Sequence, residues 1–463
     1  MAIIPQRQLF CWDEVENLGD LKRLLLVMRT IPDERLMQTL EHERGKGRDD
    51  YPVRAVWNSL LAGVVYQHSS VEELRRELLR NGQLREFCGF NPVLPAEAAV
   101  PPPWVYSRFF PLLFKHAALI DAMFDALVES LHRELPGFGR GLAGDGKAIP
   151  THARPRKKDA EEPEPDGRRD TDADWGVKTR RKTEDEGTGY EKVKKWFGYK
   201  LHLLVDVEHE LPVAYEVTKA SAGEAPVARK LVKRTAERHE ALLKDTCEEY
   251  FYDKGGDDTK LFTTMWDEHG VKPVIPVRSC WKEGDELPLP PHGEHIKTRP
   301  VPGTREIVYT ETGGVYCLCP RTVAAAKAGK VGYVQAMAFG GFEKDRSTLR
   351  YRCPARQYGR VCPGAERCGA RTGIRIKLDT DRRVFTPLAR STYAWGRAYK
   401  KRTAVERVNS RFDVSYGFER HFIRGLRKMR VRTGLALVVM LSIALGHVRE
   451  KRRDLARSLV RVA

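Results

Sequence analysis

Gly141-Leu142-Ala143-Gly144-Asp145-Gly146-Lys147-Ala148-Ile149 is the stretch on which the reading of this chain turns. Residues 19–135 before it carry helical spacing. Here the period changes to that of a strand, and the strand holds a lone carboxylate between two glycines, which let backbone and ligand approach closely. A second strand, Glu249–Asp253, runs into Tyr252-Asp253-Lys254-Gly255. Asp253 is thereby placed at the C-terminal end of a strand, the side on which open α/β sheets bind ligands. Tyr199–Val207 and Leu211–Thr218 flank a polar turn and predict a hairpin. Helices are predicted over Glu224–Leu243 and Asp258–Glu268, and a further strand over Val271–Val277. Strand, hairpin, helix, strand, helix, strand predicts a mixed α/β sheet with helices on its faces.

A third carboxylate lies on a helical segment. Tyr399, Arg402 and Glu406 are three and then four residues apart, so they share one helical face. Two strand carboxylates and one helix carboxylate suit divalent metal ions that clamp the attacking and leaving oxygens of a phosphoryl transfer. The formal net charge of +18 favours polyanions in a salt-sensitive way, although a merely basic protein has it too. Together these features make DNA the first substrate to consider.

The three stretches resemble the DDE transposases of bacterial insertion sequences, in the superfamily whose third acid sits in a Tyr-x2-Arg-x3-Glu-x6-Lys signature. Tyr399, Arg402 and Glu406 match it, and Asp413 stands at the Lys position. Arg411 is the nearby cation expected to take that role. Also similar are Tyr199-Lys200-Leu201-His202 through Asp206, Pro212-Val213, Thr218-Lys219-Ala220 with Glu224, and Tyr252–Gly255, where Gly256 replaces the usual aromatic. Tyr51 to Leu113 looks like the N-terminal domain of these transposases. The resemblance implies an RNase H-like core in which Asp145, Asp253 and Glu406 bind two Mg²⁺, with Mn²⁺ able to substitute. It implies cleavage at transposon ends and attack of the freed 3′-hydroxyl on target DNA. Tyr399 and Arg402 would hold the DNA backbone, Arg because its planar fork matches phosphate oxygens. The competing readings are packing for Tyr399 and an ion pair with Glu406 for Arg402. Arg420 and Arg424, in a basic stretch continuing through Arg427, Lys428, Arg430 and Arg432, are expected on DNA. The partners implied are double-stranded DNA, as transposon terminal repeats and target, and a second copy of the chain. Two rivals are an RNase H-fold nuclease that does not join, and an inactive, transposase-derived DNA-binding protein.

The remaining sequence divides by composition. We expect an N-terminal segment (1–45), a helical DNA-end-binding domain (46–138) and the first part of the catalytic core (139–278). A β-rich, Cys-containing insertion (279–385) and the rest of the core with C-terminal helices (386–463) follow. Residues 154–195, rich in Lys, Arg, Asp, Glu, Pro and Gly, read as a mobile loop with one anchored point at Trp175. Five of nine cysteines crowd into 317–368. Cys319, Cys353, Cys362 and Cys368 would suit tetrahedral Zn²⁺, with one of Cys317 and Cys319 ligating; their wide spacings fit free thiols equally well. His202 reads as a packed histidine and Trp281 as an anchor. The longest apolar run, Leu435–Leu445, reads as a buried helix too short to span a bilayer. With no signal-like start, a cytoplasmic, nucleoid-associated protein with no membrane partner is expected.

Overall fold

The computed structural model describes residues 19, 21–46, 50–155, 170–182, 190–289, 294–304, 306–318, 334–359, 361–362 and 368–457. Helices come first: α1 (Leu21–Thr30), α2 (Glu34–Arg44), α3 (Val53–Val65), α4 (Val71–Arg80) and α5 (Gly82–Cys88). Ser70 caps α4 by accepting from the Glu73 amide (3.2 Å), while Glu73 accepts from the Ser69 amide (2.7 Å). Asn81 both ends α4 and starts α5, its side chain accepting from the Leu84 amide at 2.9 Å. The spacing of apolar residues from Tyr106 to Leu131 predicts one helix, and the chain forms two, α6 (Pro103–Lys115) and α7 (Ala117–Glu134). His116 between them leaves the helical region (φ −105°, ψ 26°) and its ring meets Glu43 at 3.2 Å.

The central sheet is built around β1 (Gly141–Pro150). It pairs antiparallel with β3 (Tyr190–Asp206) and parallel with β5 (Glu249–Phe251), which pairs parallel with β6 (Lys272–Val274). The long β3 takes two partners on its other edge: β2 (Asp174–Lys182) along its first half and β4 (Pro212–Lys219) along its second. The order β4-β3-β1-β5-β6, with three parallel strands and an antiparallel hairpin, is the mixed, RNase H-like sheet that the resemblance implied. Helix α8 (Glu224–Arg238) follows β4, and α9 (Thr259–Thr263) lies between β5 and β6.

Residues 154–195 differ from the loop expected. Asp174–Lys182 and the start of β3 form a paired ribbon beyond the sheet, while residues 156–169 and 183–189 lie outside the described residues. Val177 and Val193 are exposed. A two-stranded ribbon with solvent on both faces needs no apolar alternation, so composition hid it. Trp175 packs its ring on Phe197, centroids 5.6 Å apart.

The insertion forms two antiparallel sheets. One runs β11-β10-β9-β8-β7, from β7 (Asp285–Leu289) and β8 (Glu294–Pro300) through β9 (Ile307–Thr310) and β10 (Val315–Leu318) to β11 (Val334–Ala336). The other joins β12 (Ala338–Glu343), β13 (Thr348–Arg352) and β14 (Ile374–Lys377). They have apolar cores of their own. Arg383 ties the insertion to the central sheet by an ion pair to Asp257 (2.8 Å), and within the insertion it also pairs with Glu311 (2.5 Å).

Helices α10 (Tyr393–Tyr399), α11 (Thr403–Tyr416) and α12 (Leu426–Arg449) complete the chain. The apolar run Leu435–Leu445 lies in α12, whose 24 residues are long and apolar enough to cross a membrane. The run is buried as expected, since 94% of the helix's apolar window is enclosed by the protein. α12 packs on α1, α3, α6, α7 and β4, joining the helical region and the sheet in one continuous core.

Candidate active site

β1 and β5 are parallel neighbours, with Ala143 opposite Phe251. Asp145 and Asp253 each follow that pair by two residues, so the register sets them side by side at one end of the sheet. The glycines around them hold space for particular neighbours. A Cβ on Gly144 would lie 2.5 Å from the Tyr252 ring. Asp253 accepts from the Gly255 amide at 2.7 Å, which fixes the loop beyond β5. Asn409 of α11 donates to Asp145 at 3.2 Å. Burial pushes the Asp145 carboxyl above the usual range and the charge of Asp253 adds to this, against Lys178, Arg402 and the Gly146 amide.

Glu406 sits in the first turn of α11, one turn before Asn409. It is exposed and ion-paired with Arg402 at 2.5 Å. Arg402 lies over the Tyr399 ring (5.7 Å), and Tyr399 stacks on Trp395 (5.1 Å, 10°). A 3₁₀ turn, Lys400–Arg402, joins α10 to α11, so the three signature residues remain together. Burial raises the Tyr399 phenol, and Asp253 and Glu406 are both close enough to add to the shift. Tyr399 thus links the strand acids to the helix acid. Among the described residues, no three His, Cys, Asp or Glu side chains already stand close enough to share one ion.

The departure at Asp413 has a local explanation. Lys147, two residues beyond Asp145 on the same face of β1, donates to Asp413 at 2.5 Å. A lysine at 413 would oppose Lys147. Arg411, expected on DNA, is instead largely enclosed: it donates to the Glu210 carbonyl (2.5 Å) and carboxylate (3.2 Å) and to the Arg457 carbonyl (3.1 Å). Arg432 leaves the basic stretch too. It is buried, donates to the Tyr416 carbonyl at 3.0 Å, and burial brings its guanidinium down to about 10. Arg420 is exposed and Arg424 half-buried. His202 is packed, 3.1 Å from the Thr218 hydroxyl, and Trp281 anchors a loop, with Arg299 over its ring at 4.2 Å.

Cys353, Cys362 and Cys368 gather near Cys317; Cys319 lies outside the described residues. Burial and these three neighbours push the Cys317 thiol up to about 12. All four are free thiols.

The chemistry of the Asp145–Asp253 pair fits a divalent cation. Two carboxylates share one end of the sheet, and the buried Tyr252 hydroxyl beside them has no hydrogen-bond partner among the described residues. The glycines of both Asp-bearing segments keep a cradle that a Cβ would fill. Sequence reasoning passed over Lys147 and Asn409, whose contacts across the fold leave no local signal. It noted Glu224 as family-like without giving it a role.

Comparison with known families gives two matches. The model described as the transposase DDE domain matches residues 139–441, and that described as the transposase domain DUF772 matches residues 12–110. No curated protein and no solved structure matches the chain.

Proposed function

The chain belongs to the transposase DDE domain family, and from that premise we propose that it cuts DNA at the ends of a mobile element and joins the freed 3′ end to target DNA. The observation that carries this reading is the β1–β5 register, which sets Asp145 beside Asp253. With Glu406 these would hold two Mg²⁺, or Mn²⁺ in their place. Bound there, the ions supply the positive charge that activates water and then a 3′-hydroxyl, and that stabilises the departing oxygen.

The chain's own residues then have distinct tasks. Arg402 must release Glu406 before that carboxylate can turn to a cation, and its guanidinium fork is then free for a DNA phosphate. Tyr399, stacked on Trp395, is a rigid platform that orients the same backbone. Asn409 holds Asp145 in place. Arg420 and Arg424 extend the phosphate track, and the helical region before residue 139 recognises the ends. Two ends must be brought together, so the acting species is a homodimer on DNA. A structural zinc held by Cys353, Cys362, Cys368 and Cys317, in place of Cys319, is proposed for the insertion; stoichiometric zinc in purified protein, lost on Cys353→Ser, is the expected result of metal analysis.

The decisive test incubates the protein with its flanking DNA ends and Mg²⁺ and resolves cut and joined products. Wild type should give both, and Asp145→Asn, Asp253→Asn and Glu406→Gln should each lose both while keeping DNA affinity. Cutting without joining would make the protein a nuclease. Binding with neither product would make it a binding-only relative.

A further inference from the structure

Glu224 opens α8, in a segment remote in sequence from both strand acids. Its carboxylate is nevertheless inserted between them. A Cβ built on Gly255, two residues after Asp253, would lie 1.9 Å from Glu224 Oε2. One built on Gly146, next to Asp145, would lie 3.1 Å from Glu224 Oε1. Each Asp-bearing segment therefore keeps a glycine where the same carboxylate passes, and any larger residue at 255 would expel it. The two oxygens bridge the two segments.

The placement is electrostatically adverse unless a cation joins it. Glu224 is partly buried beside Asp145 and Asp253. Among the described residues its carboxylate has no ion pair; the nearest cationic neighbours are Lys178 and Lys200, and Lys200 donates instead to the Ala222 carbonyl at 2.8 Å. Three carboxylates converging with so little compensation cost free energy in a desolvated site. A divalent ion reverses that cost, because oxygen-rich sites with several acids are what such ions select.

We propose that Glu224 is a fourth carboxylate of the metal site, contributed by the first turn of α8. This rests on reading Asp145 and Asp253 as the pair that holds the ions. Glu224 supplies what Glu406 does not in the resting protein: Glu406 is exposed and paired with Arg402, whereas Glu224 already lies between the two Asp-bearing segments, and the three carboxylates have to draw in around an ion to share it. The site would then hold its first ion on Asp145, Asp253 and Glu224, before DNA arrives and before Arg402 lets Glu406 go.

The test is Mn²⁺ binding to the full-length protein without DNA, followed by calorimetry and by the electron paramagnetic resonance of free Mn²⁺. Wild type should bind, Asp253→Asn should lose binding, and Glu224→Gln should weaken it at least tenfold. Glu406→Gln should change it less than threefold. Glu224→Asp, which withdraws the carboxylate by one methylene, guards against misfolding: it should melt like wild type and still bind weakly. Binding unchanged in Glu224→Gln but lost in Asp253→Asn would overturn this inference and leave the reading of the Asp pair standing. Binding absent in wild type, or unchanged in Asp253→Asn, would remove both.

Discussion

Lys147 and Asp413 show how a signature residue can change sign without the site losing its logic. The pair is partly enclosed, so its coupling should exceed that of a free surface pair, at about 1 kcal/mol in a double-mutant cycle. Asp413→Lys should destabilise more than Asp413→Ala, and Lys147→Asp combined with Asp413→Lys should recover most of the loss in urea melts. His202 makes a second residue-scale prediction. Burial pushes its imidazole down to about 3, while the unfolded chain protonates near 6.5. The neutral form is what the fold accepts, so this contribution is complete above pH 6.5 and lost as pH falls toward 3. The slope approaches about 1.4 kcal/mol per pH unit. His202→Gln should flatten the acid limb of the stability–pH curve over that window. Asp145, Asp253 and Glu406 could be picked out from the sequence because each interrupts or faces a periodic run. Glu224 and Asn409 could not be given roles, because what brings them to the aspartates is the β1–β5 register and the seat of α11, neither of which is encoded locally.

Elements were legible where burial imposed a period. The sheet strands are legible because their apolar residues alternate or run together. The β2–β3 ribbon was missed for the opposite reason: side chains such as Val177 and Val193 face solvent, and its order comes from backbone pairing. Gly198 is the pivot of that long strand, opposite Pro150 on one side and Asp174 on the other. Its φ is +154°, and a Cβ there would lie 2.4 Å from the Ile149 carbonyl oxygen, a backbone atom with nowhere to go. Gly198→Ala should therefore cost roughly 2 kcal/mol or more, read from chemical denaturation, and raise protease cutting within the ribbon.

At the scale of the molecule, the insertion is fastened beside the catalytic loop. Asp257, four residues after Asp253, is almost fully buried under Arg383, which also grips Glu311. Removing one side of such a pair leaves a buried charge without its partner, so Arg383→Met should cost about 3 kcal/mol and expose the insertion's links to limited proteolysis. That joint was not legible from composition, since Arg383 stands 126 positions from Asp257 and 72 from Glu311. α12 carries a different consequence. The helices α1, α3, α6 and α7 and the strand β4, on which it packs, are all made before it. At roughly 5–20 residues per second, a ribosome needs about 20 to 85 seconds to reach it. Until then both the helical region and the sheet wait with an open apolar face, and α11 has only just delivered Glu406. A nascent chain is thus kept from acting on DNA through nearly all of its own synthesis, and prematurely ended products should be inert and quickly cleared.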